Sequence, residues 1–143
     1  MEQLLAPAKI NYLLEAPLEI LHEESMEWLE EIEFWKDEVA FFYKLIIRKA
    51  DKKPRPKTKT MLGIESKLIY LSSEKLDDLK LEIQIHERFL ARMMKSVKQD
   101  EGAYRAKHKI IAKKVQDFEM EMKEIKSKVF ALVKKSTRKL ILK

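Results

Sequence analysis

From Leu18 onward, apolar residues recur in alternating steps of three and four: Leu18, Leu21, Ser25, Trp28, Ile32, Trp35, Val39, Phe42 and Ile46. This is a heptad seam with one polar member, and it predicts a first helix over about 17–50. Pro17 suits the first turn, where its missing N–H is not needed, and Glu19, Glu23 and Glu24 favour the positive end of the helix dipole. The stretch DKKPRPKTKT, with two prolines and no apolar residue, ends it. A second seam, Leu76, Leu79, Ile83, His86, Leu90, Met93 and Val97, predicts a helix over about 62–98. Ile64, Leu68 and Leu71 do not keep its phase, so a local stutter is expected before Leu76. After the break QDEG, a third helix over about 102–140 carries Tyr104, His108, Ile111, Val115, Phe118, Met122, Ile125, Val129, Leu132 and Ser136 without a slip.

The expected architecture is all-α: an antiparallel up-down-up three-helix bundle with coiled-coil packing over 17–143, preceded by an N-terminal arm over 1–16. A first helix this apolar needs more cover than two neighbours give. Phe34 and Phe41 lie away from its main seam, with Ala40 and Ile47 beside them. Either the arm, with its Leu4, Leu5, Ile10, Tyr12, Leu13 and Leu14, or a second copy of the chain in a homodimer is expected over Phe34, Phe41 and Ile47.

Composition supports long helices. Among 143 residues there are two glycines and four prolines, 38% are charged and 45% apolar. The absence of cysteine removes disulfides, thiolate metal sites and a cysteine nucleophile. The opening MEQLLAPAKINYLLEAP lacks a basic leader and a continuous apolar run, and no stretch has the roughly 18 apolar residues of a membrane span. A soluble, cytoplasmic protein is the expectation.

Net charge is +6, but it is unevenly distributed. Residues 44–67 and 134–143 hold fourteen Lys and Arg against Asp51 and Glu65. Fold-back would gather these at one pole, so Lys49, Lys52, Lys53, Arg55, Lys57, Lys59, Lys134, Lys135, Arg138 and Lys139 are candidates for holding an anionic partner. An acidic protein or a ribonucleoprotein fits better than a membrane surface, although KKSTRKLILK does mix cations with apolar residues. The loop has no aromatic residue and no nucleic-acid reading motif, which leaves a nucleic-acid-associated accessory role as an alternative.

Chemistry-bearing residues are sparse. With turns centred near 56 and 100, His22 and His108 both fall opposite positions 91–93, and His86 lies one to two turns away. One reading is a metal-binding bundle of ferritin-like or hemerythrin-like kind, using His22, Glu24, Glu31, Glu82, His86 and His108 for zinc, iron or manganese. The Glu-x-x-His spacing that such centres use is absent, because Ile83 and Arg105 stand three residues before His86 and His108. The other reading makes His86, His108, Ser25 and Ser136 polar punctuation, each demanding a hydrogen-bond partner and so rejecting misaligned packings. Ser25 for His86, and Tyr104 or a carboxylate of helix one for His108, are the expected partners. Phosphate loops, nucleophile elbows and His-Glu-x-x-His are missing, so neither a catalytic residue nor a small-molecule substrate is expected.

His22, Trp28 and Glu31, with FWKDE at 34–38 and HE at 86–87, resemble segments of small bacterial helical-bundle proteins of uncharacterised activity. The resemblance covers helices one and two and implies the helical fold alone. Together these features predict a non-enzymatic interaction or scaffold module needing no cofactor.

Overall fold

A computed structural model describes residues 16–51, 57–95 and 101–141, with side chains for all of these except 48–51 and 136–141. The described residues are almost entirely helical and include no strand. Helix α1 spans Leu18–Asp51; α2, Lys59–Tyr70, runs through a π-turn, Leu71–Lys75, into α3, Leu76–Lys95; α4 spans Glu101–Ile141. No helix among the described residues is long and apolar enough to cross a membrane.

Helix starts follow from local chemistry. The Pro17 carbonyl accepts from the amides of Ile20 and Leu21, at 3.0 and 3.2 Å, and so sets the first turn of α1. Thr58 caps α2, its Oγ1 accepting from the Met61 amide at 3.2 Å. That cap moves the start to Lys59, three residues before the expected 62.

The expected stutter takes the form of a π-turn. Leu71 and Leu76 are both fully buried although five residues apart. The Leu76 amide donates to the Leu71 carbonyl, so one extra residue is absorbed and both leucines reach the core. Such a wide turn leaves carbonyls short of partners, and the Ser73 hydroxyl donates to that of Ile69 at 2.7 Å.

Contacts divide the chain into two compact units. The first comprises residues up to Ile32 with Asp78–Phe118. Its core is built from Leu21, Trp28 and Ile32 of α1, Leu79, Ile83 and Leu90 of α3, and Ile111, Val115 and Phe118 of α4. The second comprises Glu33–Asp77 with residues from Glu119 onward. There Trp35, Val39, Phe42 and Ile46 are buried, as are Ile64, Leu68, Leu71, Met122, Ile125 and Val129. Ion pairs follow the same division. In the first, Glu82 is held by Lys107 and Lys114, one heptad apart on α4, at 2.8 and 2.9 Å. In the second, Lys36 meets Asp77 at 2.7 Å, Lys126 meets Glu38 at 2.8 Å, and Lys75 meets Glu121 at 2.9 Å.

Gly63 is the weak point of α2. It is exposed, and a Cβ built on it would meet nothing within 4 Å. The space belongs to a groove of about 540 Å³ lined by Ile64, Lys67, Glu121, Ile125 and Lys128 among others. Glycine there gives only backbone entropy to the unfolded chain, so Gly63→Ala should raise the unfolding free energy by about 1 kcal/mol. Urea titration at neutral pH measures this, and an unchanged or lowered midpoint would mean the open space is needed.

A buried histidine pair as the candidate functional site

The first unit carries two imidazoles in its core, one from α3 and one from α4. His86 is 3% exposed and His108 is fully buried. Both occupy seam positions, where the heptad phase that buries Ile83, Leu90, Ile111 and Val115 turns them inward too. His86 Nε2 and His108 Nδ1 lie 2.9 Å apart and share a hydrogen bond. Flat side chains enclose them. Tyr104 stacks on His86 with centroids 4.2 Å apart and planes within 1°. Trp28 stacks on His108 at 4.6 Å and 28°.

Two carboxylates flank this centre, Glu87 beside Tyr104 and Glu24 beside His108. Glu87 binds the Nδ1 of the exposed His22 through Oε2 and accepts a long, 3.4 Å hydrogen bond from the Tyr104 hydroxyl through Oε1. Ser25 Oγ is also buried, with no hydrogen-bond partner among the described residues. Burial first, then the charge of Glu87, pushes the Tyr104 phenol far above its ordinary range, so it stays a hydrogen-bond donor at any physiological pH. On the far side of the pair, His108 Nε2 is buried without a hydrogen-bond partner, and Glu24 Oε1 stands 3.8 Å from it.

This geometry selects tautomers. In an uncharged pair one ring must donate and the other accept. If His108 donated from Nδ1, its Nε2 lone pair would point at the negative Glu24. If His86 donates from Nε2, His108 accepts at Nδ1 and turns its own Nε2–H toward that carboxylate. The second arrangement is favoured, and it orders the dipoles from His86 through His108 to Glu24. Burial, reinforced by His108 and Lys107 and opposed by Glu82, lowers the His86 pKa to about 4, so this ring is uncharged at neutral pH. Glu82 behaves oppositely. Its burial acts upward, but the hydrogen bonds and charges of Lys107 and Lys114 outweigh it and hold the carboxyl below its ordinary value.

Of the six metal-ligand candidates, the structure brings His86 and His108 together and sets Glu24 beside the latter. His22 is taken by Glu87, Glu82 by two lysines, and Glu31 is exposed. No group of three or more His, Cys, Asp or Glu among the described residues is arranged to hold a metal ion. The register explains why the three histidines do not converge. Pairing of His86 with His108 sets α3 and α4 six residues away from the expected register, which makes these two level. The partner of His86 is therefore His108 rather than Ser25.

Sequence reasoning missed Glu87 and the stacking role of Trp28. Glu87 adjoins a seam residue, where a long side chain reaches a neighbouring helix. That position marks Glu87 as able to reach across but does not single it out from other polar residues flanking the seam.

The other candidates fall into two groups. Phe34 and Phe41 are 62% and 57% exposed, and Ile47 is half-buried. The arm over 1–15 lies outside the described residues. Among the cations, Lys59, Lys134 and Lys135 are exposed, all in the second unit, and Lys57 binds Glu65 at 2.9 Å. Lys52, Lys53 and Arg55 lie outside the described residues, as do the side chains of Lys49, Arg138 and Lys139.

No family model, no curated protein and no solved structure matches this chain.

Proposed function

We propose that the chain is an interaction or scaffold module rather than an enzyme. It is read as an antiparallel up-down-up three-helix bundle whose histidine pair fixes alignment and whose exposed cations hold an anionic partner. The observation that carries this reading is the closure of the polar centre on itself. All three rings that could do chemistry are buried: the imidazoles hydrogen-bond to each other, and the phenol stacks on His86 and donates to Glu87. A catalytic base needs an open lone pair within reach of a substrate proton, and the only imidazole on the surface, His22, is held by Glu87.

The contact order supports the up-down-up course. In the first unit, residue 22 meets 87, and residues 104, 108 and 114 meet 87, 86 and 82. In the second, 36 meets 77, while 38 and 42 meet 126 and 130. Within the first unit the partners of α3 and α4 thus run in opposite order, and within the second those of α1 and α4 run in the same order, which supports this reading.

Exposed Lys59, Lys134 and Lys135, with the further cations of 49–55 and 138–139 along the sequence, support an anionic partner such as an acidic protein or a ribonucleoprotein. Inorganic polyphosphate is a suitable probe. For roughly four phosphate contacts, affinity should fall on the order of a hundredfold as salt rises from about 50 to about 200 mM. Lys134→Ala with Lys135→Ala should reduce the slope of log affinity against log salt by about two contacts' worth. Binding that ignores salt, or a slope untouched by these substitutions, would remove the cations from the site.

A further inference from the structure

The outward face of α1 in the second unit is self-complementary. Glu33, Phe34, Asp37, Phe41 and Lys44 are all exposed, and the phenylalanines recur seven residues apart on the face opposite the Val39–Phe42–Ile46 seam. Phe41 is held at its root, with its ring 6.0 Å from Phe42, which in turn meets Phe130 edge-on at 5.9 Å. The stripe thus presents two aromatic knobs, an anion outside the first and a cation outside the second.

We propose that this stripe pairs with the same stripe of a second copy of the chain, antiparallel, about a two-fold axis beside Asp37. In that register Phe34 of each copy meets Phe41 of the other, because the two rings stand equally far from the axis. Glu33 and the other copy's Lys44 then lie on the same flank about 3 Å apart along the helix axes, within reach of a lysine side chain, and the opposite charges attract. A parallel pairing would set Lys44 against Lys44 and Glu33 against Glu33, which is why the antiparallel sense is favoured. Aromatic rings buried at the centre of a small, charge-rimmed patch are the usual anchors of such contacts. One contact opposes it. The Asp37 carboxylates of the two copies approach each other near the axis, so the association is weak and concentration-dependent. This pairing is independent of the basic pole and of the histidine pair.

Sedimentation of the full chain over a concentration series tests it. Molar mass should climb from 17.0 kDa toward twice that value at roughly 100 µM. Phe34→Glu and Phe41→Glu should each weaken association by at least about tenfold. Phe34→Glu should leave the melting temperature of the dilute monomer unchanged, since no ring contact among the described residues holds Phe34 there. The chain has no cysteine, so single cysteines report the register. Asp37→Cys should form a disulfide-linked dimer under mild oxidation, whereas Lys44→Cys, with its two copies about 20 Å apart, should not. A wild-type chain that stays monomeric at every concentration overturns the proposal. So does a lowered melting temperature for dilute Phe34→Glu, which would mean the chain covers that ring itself. Equal cross-linking of Lys44→Cys and Asp37→Cys overturns the antiparallel register.

Discussion

Lowering the pH from 7 to 4 should remove about 3 kcal/mol of folding stability through His86 alone. The direction follows from proton counting. In the unfolded chain this imidazole titrates near its model value of 6.5, whereas in the fold its pKa is about 4. Between those values the unfolded state binds the proton and the native state does not. The contribution is therefore complete above pH 6.5 and is lost as pH falls toward 4. The groups facing the ring explain why it resists charging: His108 and Lys107 disfavour a second positive charge, Tyr104 covers its face, and only Glu82 favours the cation. Glu82, held low by its lysines, weakens the fold only at more acidic pH, below its ordinary range near 4.5. The interval from pH 6.5 to 5 thus reports the histidine centre with little carboxylate contribution. Urea unfolding at half-unit steps measures it, with a variant carrying His86→Leu and His108→Leu as the reference. A reference that loses stability as steeply as the wild type over that interval would place the sensitivity elsewhere.

The helices were legible in the sequence because their signal is redundant. Every seam position from Leu21 to Ile46, and from Tyr104 to Val129, is buried as its phase predicts, and one misplaced residue could not have hidden a pattern repeated over so many turns. The slip before Leu76 was legible as a fault in phase, but its form as a π-turn was not. A single extra residue can be absorbed by a wide turn or by a shift of the whole face, and only the burial of both Leu71 and Leu76 decides between them. The candidate site was half legible. Phase placed His86 and His108 inward, whereas their meeting depends on the register between two helices, which a loop of unknown geometry sets. An error of six residues in that register is about 9 Å along a helix, enough to separate two hydrogen-bonded rings or to gather three that do not meet. Glu24 and Glu87 flank the seam, where a heptad pattern treats any polar residue alike, so their aim at His108 and Tyr104 was not encoded in the periodicity.

Replacing one histidine of the pair should be more damaging than replacing both. His86→Leu leaves the Nδ1 of His108 buried without its donor, and His108→Leu leaves the Nε2–H of His86 without its acceptor and removes the ring that stacks on Trp28. A buried polar group stripped of its partner destabilises by about 1–3 kcal/mol, so each single variant should lose stability in that range. With both replaced, no orphan remains and two leucines occupy seam positions between Ile83, Leu90, Ile111 and Val115. The double variant should then be more stable than the summed losses of the singles imply, with a coupling on the order of 1–3 kcal/mol. Its weakness should appear in specificity instead. An all-apolar seam accepts a slip of one heptad, whereas the imidazole pair opposes it, since a slip toward Val115 would set His86 against an aliphatic side chain in place of His108. Urea midpoints at pH 7.5 give the cycle, and amide NMR linewidths report whether the double variant still adopts one packing. Additive single losses would mean the rings act separately, each satisfied by another neighbour. Sharp, single resonances from a stable double variant would remove alignment as the reason for burying two imidazoles, and the polarity of that core would then need a ligand to explain it.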